Sequence, residues 1–146
     1  VHNVSSVENC TIVTNSGYGT YGFLTGYAMT NSVVHGNTTA DVACSAQSGV
    51  RTVWLANCLY GTLGAETMNL IASDCLTGRD PRFVDQKGGD FRLTKASPCI
   101  NAGVNLDWTA GALDLAGHPR VSESVVDIGA YEFIRSPSAG TLILVH

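Results

Sequence analysis

Charge is what this 146-residue chain has least of: Asp, Glu, Lys and Arg together supply only 14% of it. A helical protein of this size would cover its surface with Lys and Glu, so the scarcity argues against a helical fold. The eight Lys and Arg form no cluster or stripe, and a net charge of −4 offers no footprint for nucleic acid. Long apolar runs are missing too. No stretch reaches the roughly 18 residues of a membrane-spanning helix, so no membrane span is expected. No signal-peptide pattern or initiator Met precedes Val1, which already sits in strand-like sequence, so further chain is expected upstream. Cys10, Cys44, Cys58, Cys75 and Cys99 contain no CxxC pair and no His pairing, so neither a metal nor another cofactor is expected. Their odd number rules out complete intrachain pairing, and buried small apolar side chains are the expected role.

What the chain has instead is Gly (16 residues), with many Asn, Ser and Thr, and an internal repeat. Val7-Glu8-Asn9-Cys10-Thr11-Ile12-Val13 shares its pattern with Met29-Thr30-Asn31-Ser32-Val33-Val34. Leu55-Ala56-Asn57-Cys58-Leu59-Tyr60 and Ala72-Ser73-Asp74-Cys75-Leu76 continue it. Each unit has an apolar residue, a spacer, Asn or Asp, a small Cys or Ser, then apolar residues. The starts are about 17 to 26 residues apart, the range of one solenoid coil. Stacked coils bring equivalent residues within sheet spacing, about 4.8 Å, so an Asn at a repeated bend can bond the Asn above and below. Asn and Asp also tolerate the left-handed backbone of such bends. The small following residue fits an inward stack, and the β-branched followers suit strands on a narrow core. The expected fold is all-β, a right-handed parallel β-helix in residues 1–79. A β-sandwich, with similar short strands, has no reason to repeat an Asn-Cys pair at one point of successive units.

From Asp80 the texture changes. Asp80-Pro81-Arg82-Phe83-Val84-Asp85 leads to Gly88-Gly89-Asp90-Phe91-Arg92-Leu93, then Ser97-Pro98-Cys99-Ile100-Asn101-Ala102-Gly103. Asp114-Leu115-Ala116-Gly117-His118-Pro119-Arg120 and Val126-Asp127-Ile128-Gly129-Ala130-Tyr131-Glu132 follow. In this order the segments resemble the tails of secreted bacterial β-helix proteins of the pectate-lyase-like superfamily, the group called choice-of-anchor Q proteins. Those tails run DPxFVD, GDYRL, SPAIDAG, DLDGxPR and DIGAYE, and the likeness covers residues 55–133. Phe91 stands for Tyr, Cys99-Ile100-Asn101 for Ala-Ile-Asp, and Ala116 for a common Asp, which weakens any calcium loop at Asp114. The resemblance implies a secreted or cell-surface location and the last coils of a solenoid, with polysaccharide chemistry in the parent protein.

The residues themselves suggest an irregular cap in 80–133, laid over the last open coil. Asp80, Asp85, Asp114 and Asp127 are expected to accept backbone N–H bonds, with Arg82, Arg92 and Arg120 tying the loops through bidentate pairs. Residues 134–146 read as a linker and one short strand. An N-terminal coil left uncovered would allow self-association.

Chemistry is harder to find. Glu8, Asp41, Glu66 and Asp74 are the carboxylates to weigh for glycoside hydrolysis, which needs a facing pair. Lyases on this fold use Ca²⁺-binding carboxylates with an Arg or Lys base, and Arg51 and Arg79 are the only basic residues before the cap. His2, His35, His118 and His146 show no nucleophile arrangement and read as exposed loop residues. No catalytic residue is therefore assigned; an upstream lyase or hydrolase centre is one alternative and a glycan-binding adhesin module another. For polysaccharide contact the candidates are Tyr18, Tyr21, Tyr27, Trp54 and Trp108, rings that can stack on sugar faces. The competing role for Tyr21, Phe23 and Tyr27 is alternation into the core. The sequons Asn3-Val4-Ser5, Asn9-Cys10-Thr11 and Asn37-Thr38-Thr39 are incidental in a bacterium, and Asn9 as a ladder residue has no room for a glycan.

Overall fold

A computed structural model describes residues 5–22, 26–44, 49–64 and 68–135. The described chain is all-β, with parallel sheets and one 3-10 turn at Asp107–Thr109. The chain makes repeated passes of similar plan. The first comprises β1 (Ser5–Glu8), β2 (Thr11–Val13) and β3 (Tyr18–Gly22); the second β4 (Tyr27–Thr30), β5 (Val33–His35) and β6 (Ala40–Cys44). β7 (Arg51–Ala56) and β8 (Leu59–Tyr60) open the third, β9 (Met68–Ser73) and β10 (Leu76–Thr77) the fourth. Like strands pair in parallel, as β1-β4-β7-β9, β2-β5-β8-β10 and β3-β6. Ser5 lies beside Tyr27, Tyr27 beside Val53 and Val53 beside Leu70, so successive passes take 22, 26 and 17 residues. This arrangement is compatible with a β-helix, and its parallel pairing is not that of an antiparallel sandwich.

The repeated Asn or Asp makes the bend between the first two strands of each pass. Asn9, Asn31, Asn57 and Asp74 all have positive φ, between 48° and 52°. That conformation strains most side chains and is tolerated best by Asn, Asp and Gly. Asn31 Nδ2 donates to Asn9 Oδ1 at 3.2 Å, one rung of the expected ladder. Its other partners are different. Asn31 exchanges two 2.8 Å bonds with the backbone of Val104, and Asn57 Nδ2 donates to Ala102 O at 3.3 Å. The amides thus bind the tail as well as one another.

The small residue after the bend closes its own turn. Cys10, Ser32, Cys58 and Cys75 each donate a thiol or hydroxyl proton to the carbonyl two residues earlier, at 2.9 to 3.3 Å. Rungs are also joined: Cys10 N–H donates to Ser32 Oγ at 3.1 Å and Cys58 N–H to Cys75 Sγ at 3.4 Å. At the second bend, buried Asp41 accepts Asn37 N and Nδ2 on one oxygen and Thr62 N on the other, at 2.7 to 3.0 Å. Between the sheets lies a core of Tyr27, Met29, Val34, Val42, Cys44, Val53, Leu55, Cys58 and Tyr60.

The tail packs against the passes. It runs along the flank, covering the outer face of β2-β5-β8-β10, where Val33 and Leu59 form a second core with Leu93, Cys99 and Ile128. A hairpin of β11 (Phe83–Asp85) and β12 (Asp90–Leu93) starts this cover. The chain then reaches back to the first pass, where Ala130 N–H donates to Thr11 Oγ1 at 3.0 Å. Gly129, with φ of 117°, passes so close that a Cβ there would meet Thr11 Oγ1 at 2.9 Å. The physical reason is on the strands: Val33, Leu59 and Leu76 point outward and need burial, each being worth about 1.5–3 kcal/mol. By contrast β9 remains an edge strand with Asn69, Ile71, Ala72 and Ser73 exposed. Of the expected linker and terminal strand, only Ile134 and Arg135 fall within the described residues.

Two substitutions separate bend geometry from bend bonding. Asn31→Ala is expected to destabilise the fold by about 2–4 kcal/mol, through left-handed strain and lost buried bonds. Asp74→Gly, exposed and already in a glycine-like conformation, should change stability by less than about 0.5 kcal/mol. Urea unfolding checks both, and a neutral Asn31→Ala would contradict the bend's role.

Candidate functional site

Alternation along β1, β4, β7 and β9 settles which side chains face outward. Val7, Tyr27, Met29, Val53, Leu55, Met68 and Leu70 pack into the core. The register then aligns Ser6, Ala28, Trp54 and Ile71 in one outward row, with Glu8, Thr30, Ala56 and Ser73 in the next. Thr52 and Asn69 extend the face on its other side. Trp54 is 38% exposed and Ile71 49%. The indole lies over Gly26, where an added Cβ would come within 3.1 Å of Trp54 Cζ3. The surface is therefore a flat, parallel sheet with one aromatic ring, small neighbours and a rim of hydroxyl and amide groups. Glu8 is the one carboxylate in these rows.

Trp108 borders the same face. It lies in the 3-10 turn, is 45% exposed, and donates its indole N–H to Glu8 Oε2 at 2.7 Å. Neighbouring strands are about 4.8 Å apart, so Glu8 on β1 and Trp54 on β7, two strands away, are on the order of 10 Å apart. Tyr18 and Tyr21 form a different group on β3, 37% and 39% exposed, with ring centroids 4.7 Å apart at a tilt of 40°. Tyr21 also lines an open cleft of about 300 Å³ with Ser5, Val7, Thr20, Gly22, Gly26 and Tyr27.

Tyr27 is not a surface residue and leaves the set of exposed candidates. It is only 8% exposed, its ring is in the core, and its hydroxyl bonds Thr20 Oγ1 at 2.8 Å and Ala43 O at 3.3 Å. Burial pushes its phenol up to about 12, with the Thr20 bond opposing. Period-two alternation in β4 puts Tyr27 and Met29 on one side and Ala28 on the other. The same alternation in β9 marks Ile71 as an outward residue, apolar but not aromatic. Phe23 lies outside the described residues.

The weighed carboxylates do not share a cleft role. Asp41 has its oxygens filled by Asn37 and Thr62, Asp74 forms a bend, and Glu8 receives Trp108. Glu66, His2 and His146 lie outside the described residues. His35 is not a loop residue: it ends β5 and is half-buried. His118 is in a tail loop, with its side chain 45% exposed. Among the described residues no group of three or more His, Cys, Asp or Glu could hold a metal ion, and no helix is long and apolar enough to cross a membrane.

Among the described residues a cluster of buried charge serves the structure. Asp114, Arg120, Asp127 and Glu132 are all buried in the tail. Asp114 accepts N–H bonds from Ala116, His118 and Glu132 at 2.7 to 2.9 Å. Asp127 accepts Asn101 N–H and Phe133 N–H at 2.7 and 2.6 Å, and Glu132 accepts Asp127 N–H at 3.0 Å. Arg120 reaches Gly129 O, Ala130 O, Glu132 Oε1 and Asn9 O, tying the tail to the first pass. The expected Asx-type bonds are present at Asp80 and Asp85 also. The arginines do less than expected. Arg92 forms a bidentate pair with half-buried Asp90, two residues away and in the same strand, and Arg120 works mainly through carbonyls.

Burial opposes ionisation throughout this cluster. At Asp114 the backbone donors outweigh it and hold the carboxyl below its ordinary value. At Asp127 burial wins over the Asn101 and Phe133 donors and the carboxyl rises. Glu132 is raised to about 7, by burial first and by neighbouring Asp127, against the Asp127 N–H bond and Arg120. Comparison with known proteins adds no relative: no protein-family model, no curated protein and no solved structure matches the chain.

The raised Glu132 gives a pH dependence with a definite sign. The native state holds a proton between about pH 4.5 and 7 that the unfolded chain releases, so stability falls as pH rises through that window. Glu132→Gln should remove this component. Melting temperatures of the two proteins across the window check it, and parallel pH profiles would contradict it.

Proposed function

We propose that the chain is the terminal part of a right-handed parallel β-helix, of the secreted or cell-surface kind found among bacterial pectate-lyase-like proteins. In this reading it is a non-catalytic, rigid scaffold whose exposed sheet β1-β4-β7-β9 contacts polysaccharide. The observation that carries the reading is the contrast between the two long sheets. The outer face of β2-β5-β8-β10 is sealed by the tail, while the opposite sheet presents Trp54 in line with Ala28 and Ile71.

Such a face suits a sugar chain for two physical reasons. The indole offers apolar area to the C–H face of a pyranose ring. Thr30, Thr52, Asn69 and Ser73 offer donors and acceptors to the hydroxyls around it. With Glu8 as the one charge in the rows, an uncharged glycan fits better than a polyuronate, which would gain no cation there. The buried carboxylates are engaged in holding loops and bends, which supports a scaffold rather than a hydrolase in this part of the molecule.

Binding to a panel of neutral polysaccharides, pectin, alginate and mucin sugars tests the proposal. Retention on neutral glycans is expected, reduced about tenfold by Trp54→Ala without a change in melting temperature. Tyr27→Phe, a core change, should lower stability by about 1 kcal/mol and leave retention intact. Flat signals across the whole panel would remove polysaccharide contact from the reading. Polymer cleavage that is lost on changing Glu8 or Arg51 would replace the scaffold with an enzyme.

A further inference from the structure

The ladder of small residues after the first bend changes character at its far end. Cys10 is followed on the next pass by Ser32, whereas Cys58 is followed by Cys75. None of the five cysteines is disulfide-bonded. Cys58 and Cys75 lie between the in-register pairs Ala56–Ser73 and Leu59–Leu76, so they are direct neighbours on adjacent passes. Neighbouring strands are separated by about 4.8 Å, inside the Cα window that a disulfide spans. Contact between the two is already made. Cys58 N–H donates to Cys75 Sγ at 3.4 Å.

We propose that Cys58 and Cys75 form a redox-active dithiol, which closes to a disulfide and staples the last pass to the one before it. The partner chemistry is a low-molecular-weight disulfide of the glutathione type. Cys75 is the attacking thiol. It is half-buried on an edge pass, while Cys58 is buried. The Cys58 side chain beside it and the Cys58 N–H bond to its sulfur hold the Cys75 thiol below its ordinary value, against the opposing effect of burial. The neighbouring Cys75 side chain and burial raise Cys58, which keeps its proton longer.

The Cys75 thiolate attacks one sulfur of the small disulfide and forms a mixed disulfide, expelling the first small thiolate. Cys58 then loses its proton and attacks Cys75 Sγ, expelling the second. Two protein thiols are oxidised by two electrons, one external disulfide is reduced to two thiols, and the two released protons leave on those thiols or in the solvent. The bridge spans a 17-residue separation within the chain. It restrains β9 and β10, the edge strands that no further pass covers among the described residues.

The whole chain is incubated with glutathione disulfide near neutral pH, then denatured and its thiols counted. The count should fall from five to three, with the protein mass lower by about 2 Da. No Lys or Arg lies between residues 52 and 78, so trypsin leaves both cysteines in one peptide. Cyanogen bromide cleavage at Met68 then separates the halves unless the bridge joins them. Oxidation should also raise the melting temperature by several degrees.

Cys58→Ser should stop the reaction at a glutathione adduct on Cys75, and Cys75→Ser should prevent both adduct and bridge. Serine already occupies this rung at Ser32, so both variants keep the ladder bonds. Five thiols after oxidation, a bridge through another cysteine, or a stable wild-type adduct on Cys75 would each overturn the proposal.

Discussion

The left-handed bend at Asn9, Asn31, Asn57 and Asp74 is the constraint on which the rest of the structure depends. It turns the chain from one long sheet to the next at the same point of every pass, so the strands stay in register although the passes differ by several residues in length. Variation is absorbed elsewhere, in the connections that follow β3, β6 and β8. At Asn31 the bend has a second role. Its amide bonds the backbone of Val104 with both donor and acceptor, so the residue that shapes the passes also anchors the tail. A glycine would satisfy the dihedral angles and lose that anchor.

The two long sheets have opposite fates because their outward residues differ. On β2-β5-β8-β10 the outward positions include Val33 and Leu59, and leaving them in water would forfeit several kcal/mol. The tail covers them with Leu93, Cys99 and Ile128, although it has little regular structure to contribute. On β1-β4-β7-β9 the outward positions are mostly small or polar, and only Trp54 and Ile71 are large and exposed. Isolated exposed apolar residues are ordinary on a protein surface. Here their alignment across adjacent strands, with Ala28 beside them, makes them a continuous strip.

Much of this was legible in the sequence wherever neighbours along the chain decide the outcome. The Asn-Cys and Asn-Ser pairs marked the bends, and a bend is a local backbone matter. The course of the tail was not legible, because it depends on which faces of distant strands remain apolar after the passes have stacked. Arg120 shows the difficulty: its partners include the carbonyl of Asn9, on the opposite end of the chain. Tyr27 shows another limit. Aromatic rings serve core and surface equally well, and only the side of the strand on which Met29 and Leu55 sit decides between them. The alternation was available in β4, but a Gly-rich approach from Gly17 to Gly26 obscured where the strand begins.

The tail's charged residues act on its own backbone. Asp114 and Arg120 come from the segment 114–120, and Asp127 and Glu132 from the segment 126–132. All four are buried, and their work is to satisfy backbone groups in a stretch without sheet ladders to do so. Buried ionic groups are a weak source of net stability but a strong source of geometric specificity, since removing one partner strands the other in low dielectric. Such residues report how the tail folds against the passes. They say little about chemistry on the outside. The chemistry of this chain therefore has to be sought on the uncovered sheet, at Trp54 and its row, and at the Cys58–Cys75 rung.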